Sequence, residues 1–264
     1  MGEIIAVTNQ KGGVGKTTTC VNLAASLATL DRRVLVVDLD PQGNATTGCG
    51  VDKSGLELTS CEVILGEAVA LDAVQTVQDG AFSLLPANSD LTVAEVRLLQ
   101  EIGRELKIRN ALGPVRDLYD YVLIDCPPTI NMLTLNALTA AEGTLIPIQC
   151  EYFALEGLSA LLETIKQVRN TVNHALRIKG LLRTMFDPRN KLAREVSEQL
   201  IKHFGDKVYA TVIPRNVRLA EAPSFGLVAL YHDRNSTGAK AYHALAEEVI
   251  AQEPGQGSAT QTVV

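Results

Sequence analysis

Asn9-Gln10-Lys11-Gly12-Gly13-Val14-Gly15-Lys16-Thr17 follows an apolar tetrad, Ile4-Ile5-Ala6-Val7, and precedes the Ala- and Leu-rich stretch Thr18–Leu30. The tetrad reads as a buried strand and the later stretch as a helix. A strand, a glycine-rich turn and a helix N-terminus together make a phosphate cradle. Turn N–H groups point inward, glycines allow close backbone approach, and the helix dipole favours negative charge. Lys16 is then expected along the β- and γ-phosphates, with the Thr17 hydroxyl offered to Mg²⁺. The usual pattern G-x-x-x-x-G-K-[ST] wants glycine where Gln10 stands, and this loop carries an additional lysine, Lys11, at its start.

Composition narrows the class. With 264 residues, 46% of them apolar, the chain can build an ample core as one large α/β domain or two small ones. No run approaches the ~18 to 20 apolar residues of a membrane span. The N-terminus has no basic or apolar leader, so a cytoplasmic protein is expected. The five cysteines form no C-x-x-C pair, which predicts reduced, mostly buried thiols rather than a disulfide framework or metal site. The net charge of −6 is unevenly spread: residues 1–165 hold 10 Lys/Arg against 21 Asp/Glu, whereas residues 166–219 hold 12 against 4. An acidic body with one basic segment points to a polyanionic partner.

Further along, Arg33–Val37 reads as a second buried strand ending at Asp38-Leu39-Asp40-Pro41-Gln42-Gly43-Asn44. Ligands of open parallel sheets sit outside the carboxyl ends of strands. Asp38 and Asp40 therefore emerge near the phosphates, unless one merely caps the following turn. Tyr121–Ile124 followed by Asp125 describes a central strand that delivers a carboxylate to the Mg²⁺ shell, the Walker-B role. Further strands are expected at 82–86, 143–148, 176–185 and 208–213. Helices are expected near 61–66, at 91–112 with a break at Gly113-Pro114, at about 157–173 and at 192–204. A last helix is N-capped by Ser236. Alternating strands and helices predict an α/β fold: a single doubly wound, mainly parallel sheet with helices on both faces. Residues 1–252 are expected to form this P-loop ATPase domain and 253–264 a flexible C-terminal tail rich in Gly, Ser, Thr and Gln.

Lys11–Thr18, Asp38–Asn44, Asp125-Cys126-Pro127-Pro128, Glu151–Gly157 and Ile213-Pro214-Arg215-Asn216-Val217-Arg218 together resemble ParA/Soj-type chromosome-partitioning ATPases, of the deviant Walker A (MinD/ParA) superfamily. The likeness spans residues 5 to about 240. It implies an ATP-dependent homodimer with two nucleotides sandwiched at the interface. Lys11 corresponds to the signature lysine that reaches the partner's phosphates, and a side chain at Gly12 would obstruct closure. Gly12, Gly13, Val14, Gly15, Lys16, Thr17 and Thr18 would hold ATP/ADP. Pro214 and Asn216 would surround the adenine. Thr17, Asp40 and Asp125 would serve Mg²⁺, with Lys11, Lys16 and Asp40 catalytic. Glu151 would pair with Lys11 across the dimer.

The family's DNA contacts fall on Arg189 and Arg218, both inside the basic segment. The implied function is a weak ATPase stimulated by a ParB/Spo0J-type centromere-binding protein. Its ATP dimer binds double-stranded DNA nonspecifically, in a cytoplasmic, nucleoid-associated setting without membrane attachment. The alternatives are a MinD-like cell-division-site ATPase and a P-loop metabolic synthetase. The first needs a basic amphipathic C-terminal helix, and residues 253–264 contain no Lys or Arg. The second would leave the basic segment without a purpose.

Overall fold

Eight strands form one sheet in a computed structural model that describes residues 2–253. The strands are β1 (Glu3–Val7), β2 (Val34–Asp38), β3 (Gln75–Val77), β4 (Phe82–Leu85), β5 (Tyr121–Asp125), β6 (Gly143–Gln149), β7 (Arg177–Phe186) and β8 (Val208–Pro214). Their spatial order is β3-β4-β2-β5-β1-β6-β7-β8, parallel everywhere except at the β3–β4 edge. The sheet is doubly wound, as the alternating pattern required. Short Ile/Val/Leu runs such as Ile4–Val7 and Val34–Val37 are buried throughout, because a parallel sheet is covered on both faces.

Side chains alternate between two cores. Ile4, Ala6, Leu35, Val37, Val122 and Ile124 face one layer, and Ile5, Val7, Val34, Val36 and Leu123 face the other. Helices α1 (Lys16–Ala28) and α2 (Asn44–Gly48) lie on the second face. The first face carries α3 (Ser60–Leu65), α4 (Ala70–Ala73), α5 (Leu91–Leu98), α6 (Lys107–Leu112), α7 (Met132–Ala140), α8 (Ala154–Thr171) and α9 (Lys191–Phe204). Three further helices return to the second face: α10 (Val217–Glu221), α11 (Ala229–His232) and α12 (Thr237–Ala251), the last packed along α1. As expected, Ser236 caps α12, its Oγ accepting from Ala239 N at 3.2 Å.

Three local details depart from the sequence-based expectation. The stretch 91–112 is two helices, because Gly103 takes a left-handed conformation between α5 and α6. The foreseen break at Gly113-Pro114 is present, with α6 ending at Leu112. The antiparallel strand β3 has no counterpart among the expected strands. Three residues supply too little periodicity to register, and their pairing with β4 defines them. Glu253, placed in the tail by composition, is held by Arg32 at 3.2 Å and by the Tyr121 hydroxyl. The rest of the expected tail lies outside the described residues. All five cysteines are buried and free. Among the described residues, no helix is long and apolar enough to cross a membrane.

Candidate nucleotide-binding site

β1 stands in the middle of the sheet, flanked by β5 and β6, and the chain leaves its carboxyl end directly into the glycine loop. The loop then turns into α1. Gly13 (φ 72°) and Gly15 (φ 87°) occupy left-handed conformations that side chains rarely tolerate. Gly15 caps α1 without any side-chain hydrogen bond, and the first turn carries no acidic residue. The leading N–H groups of a 13-residue helix are thus left for an anion. Lys16, only 7% exposed, curls back so that its Nζ donates to Lys11 O at 3.2 Å. Burial lowers its pKa, and Asp125 and Asp40 oppose that shift.

Two neighbouring cavities share Gly15, Thr18 and Met185. One, of about 340 Å³, is lined by Gly12, Gly13, Lys16, Thr17, Asp40, Asn44 and their neighbours, and it has the residues a triphosphate needs. The other, of about 190 Å³, is bounded by Thr184, Ile213, Pro214, Asn216, Leu219 and Tyr242 and is mainly apolar, as a base requires. Pro214 and Asn216, which the resemblance put around the adenine, both line this second cavity. The Asn216 side chain is already committed, however. Its Oδ1 accepts from Arg218 N (2.9 Å) and Leu219 N (3.3 Å), and its Nδ2 donates to Thr237 Oγ1 (2.8 Å). What it offers a base is its backbone and its position.

The three acids have different environments. Asp38 and Asp125 end adjacent strands in direct register, both fully buried. Asp38 is consumed structurally: Thr46 N (2.9 Å), Thr46 Oγ1 (2.7 Å) and Asp40 N (3.1 Å) all donate to it, anchoring α2. The capping role left open for Asp38 by the sequence is the one the fold assigns. Asp125, by contrast, has neither carboxylate oxygen in a well-formed hydrogen bond. Burial pushes its pKa far up, with the neighbouring Asp38 adding to the shift and the nearby Thr17 hydroxyl opposing it. An orphaned buried carboxylate beside Thr17 fits a divalent cation, whose charge would offset the desolvation. Asp40, 7% exposed, lines the phosphate cavity and accepts from Gln42 N at 3.0 Å.

This pair of acids gives a pH prediction. Burial raises Asp38 to about 6 against the hydrogen bonds from Thr46 and Asp40. A carboxyl raised above its unfolded value binds its proton more tightly in the folded state, so stability falls as pH rises between about 4 and 6. Urea unfolding of nucleotide-free protein should therefore show lower stability at pH 7.5 than at pH 5. A flat profile across that window would contradict the raised titration of Asp38.

Lys11 lies at the rim and does not line its own phosphate cavity. Its Nζ is 2.5 Å from Glu151 Oε2 in the same chain, both side chains being about half exposed. The expected pairing across a dimer is thus met here by an intrachain partner. Two residues of the site, Thr184 and Met185, belong to no sequence motif. Thr184 Oγ1 donates to Val14 O at 2.8 Å, and Met185 (φ 48°) borders both cavities. Their position at the carboxyl end of β7 is the one signal that points to them. Arg189 and Arg218 lie outside the cavities. Arg189 pairs with Asp187 at 2.8 Å, and Arg218 with Glu221 (2.8 Å) and Asp233 (3.4 Å).

Fold and site together define a P-loop nucleoside-triphosphate-hydrolysing protein. Residues 2–178 match the model of a family described as an AAA domain. The chain is 54% identical over 248 residues to the chromosome-partitioning ATPase Soj of Thermus thermophilus, covering 94% of this chain and 95% of that one. It is 50% identical over 251 residues to the sporulation initiation inhibitor protein Soj of Bacillus subtilis, covering 95% and 99%. Among solved structures, cobyrinic acid a,c-diamide synthase from Mycobacterium smegmatis with bound ADP and magnesium superposes with a TM-score of 0.84, at 39% identity over 95% of both chains. The chain belongs to the ParA/Soj family of chromosome-partitioning ATPases. It is an ATPase, with ATP/ADP and Mg²⁺ as its cofactors.

Proposed function

We propose that the protein is an ATP-driven dimerisation switch for chromosome or plasmid segregation. Two chains close face to face when each holds ATP. The closed dimer binds duplex DNA without sequence preference. A ParB/Spo0J-type centromere-binding protein stimulates hydrolysis, and the ADP form lets go, which places the protein on the nucleoid in the cytoplasm. The observation that carries this reading is the position of Lys11: a cation poised at the rim but outside its own phosphate cavity. A Cβ added to Gly12 would meet nothing within 4 Å, so the free chain leaves this rim open for a second copy.

In this reading Lys16 and the loop N–H groups hold the β- and γ-phosphates, and the first-turn hydroxyls of Thr17 and Thr18 line their path. Thr17 and Asp125 would hold Mg²⁺, which would supply positive charge against the phosphate oxygens. Asp40 orients the attacking water and receives its proton as the water oxygen bonds to the γ-phosphorus and the bond to the ADP oxygen breaks. Lys11 neutralises charge on the partner's transferring phosphoryl group, tying hydrolysis to closure. Light scattering in ADP and in a non-hydrolysable ATP analogue, with and without duplex, tests the switch. A molecule that stays monomeric and indifferent to DNA in the analogue would refute it.

The DNA face rests on Arg189 and Arg218. Exposed ion pairs contribute little stability, so a phosphate chain can displace Asp187, Glu221 and Asp233 from them at small cost. Replacing Arg218 with glutamate is expected to leave dimerisation intact and to weaken retention on every sequence. The slope of log affinity against log salt should fall by about 0.9 for each DNA phosphate no longer neutralised. Unchanged retention in a gel shift at moderate salt would remove this arginine from the interface.

The synthase-named structure at 39% identity keeps a second reading in play, an ATP-dependent synthetase with a small substrate beside the γ-phosphate. Hydrolysis measured with and without duplex plus the ParB-type partner separates the two. A rate that follows a small molecule and ignores DNA would favour the synthetase.

A further inference from the structure

The turn between β3 and β4 holds three successive residues in left-handed conformations: Gln78 (φ 53°), Asp79 (φ 55°) and Gly80 (φ 92°). Two of the three are not glycine, and such backbone strain persists only where the surrounding structure enforces it. Here the enforcement is the Gln78 side-chain amide. Its Nε2 donates to Cys49 O at 2.9 Å and to Gly226 O at 2.8 Å, while its Oε1 accepts from Val228 N at 3.3 Å. One side chain thus joins two segments, one 29 residues before it and the other 148 residues after it.

The same two segments touch directly. Gly50 and Gly226 cross so closely that a Cβ on Gly50 would lie 2.8 Å from Gly226 O, and one on Gly226 would lie 2.7 Å from Gly50 Cα. The identity of the joined segments matters. Cys49 and Gly50 directly follow α2, whose first residue Asn44 lines the phosphate cavity with Asp40 and Gln42. Gly226 closes the turn that follows α10, the helix bearing Arg218. That turn is tight, with Gly226 N bonded to Pro223 O (3.1 Å) and Leu227 N to Ala222 O (3.2 Å). A second tie runs from α1: Asn22 Oδ1 accepts from Ala229 N at 2.8 Å.

We propose that Gln78 is a positioning residue that ties the phosphate-facing segment 40–50 to the segment carrying Arg218, so that a triphosphate in the cavity resets where that arginine stands on the DNA-facing surface. The inference rests on the DNA-binding reading above and adds the connection between nucleotide and DNA. Its physical basis is short. α2 is a single short turn joining the phosphate-facing residues to Cys49, and Gly50 beyond it packs directly on Gly226. A shift at Gln42–Asn44 is then carried through α2 to Cys49, and the Gln78 amide, bonded to both Cys49 O and Gly226 O, passes it on to the segment that bears Arg218.

The test is Gln78→Met in the full chain, which keeps reach and removes all three hydrogen bonds. Duplex retention is compared in ATP and ADP, with dimer size followed by light scattering. ATP-driven dimerisation should persist while the ATP-to-ADP ratio of DNA affinity shrinks about fivefold or more. A merely structural role would lower both nucleotide states together. A dimerising variant with the wild-type ratio overturns the proposal. Should the variant fail to fold, hydrogen exchange on the wild-type protein decides. Amides at 222–229 must change protection between ADP and a non-hydrolysable ATP analogue, and unchanged protection there overturns the tie. A wild type that ignores DNA in both nucleotides would refute the DNA reading itself, and the exchange result then judges the tie separately.

Discussion

Lys16→Ala will reduce ATP hydrolysis by at least about a hundredfold and will abolish every nucleotide-dependent behaviour of the chain. Its ammonium is the cation buried inside the phosphate cavity, 7% exposed, with Asp125 and Asp40 as its charged neighbours. Removing one such preorganised electrostatic interaction in a water-poor site typically costs about 10² to 10³ in rate. The effect here is compounded, because Lys16 Nζ also ties down the loop through Lys11 O. Alanine would leave buried acids without a counter-charge, so thermal unfolding should be recorded alongside phosphate release and binding of a fluorescent ATP analogue. Hydrolysis within a few-fold of wild type in a folded variant would show that the phosphates lie elsewhere.

Lys11→Ala is the second large effect, and its signature is different. Lys11 is 40% exposed and does not line its own cavity. ATP binding should therefore survive, and stability should change by no more than about 0.5 kcal/mol. Stimulated hydrolysis should fall by about 10³ or more, the scale on which a cation supplied in trans acts on a transferring phosphoryl. Mixing makes the trans requirement testable. In a heterodimer of Lys11→Ala and Asp40→Ala chains, the first chain's site has its own Asp40 and the partner copy's lysine. Activity should reappear in the mixture although each variant alone is inactive. A heterodimer that forms and stays inactive would place the action of Lys11 within one chain.

The pairing of Lys11 with Glu151, which the resemblance implied across a dimer and the fold makes within one chain, also shows where sequence reading stops. The loop is legible because strand, glycines and helix are contiguous, and each constrains its neighbours locally. Glu151 lies 140 residues away, and only the adjacency of β1 and β6 brings it to the rim. Gln78 is further still from recognition. A polar residue in a short turn carries no periodic signal, and its two carbonyl partners are backbone atoms that no residue type announces. β3 escapes a sequence reading for a related reason, since its pairing is tertiary. The basic segment is legible as a count, yet the acids that hold Arg189 and Arg218 are visible only once Asp187, Glu221 and Asp233 are placed.

By itself the sequence determined the doubly wound sheet, the phosphate loop and the family, because all three are written in local pattern: apolar runs, glycines at the turn, lysine and threonine at a helix start. The tertiary structure alone decided what Asp38 does. Asp38 and Asp125 both end buried strands in register, and the local sequence directed Asp125 to the Mg²⁺ shell but left Asp38 open between the phosphates and a cap. One meets Thr46, eight residues on, and becomes an anchor. The other is left without a well-formed hydrogen bond, which suits the cation-holding role proposed for it. That difference is set by which donors reach each carboxylate, and those donors arrive from other elements of the fold.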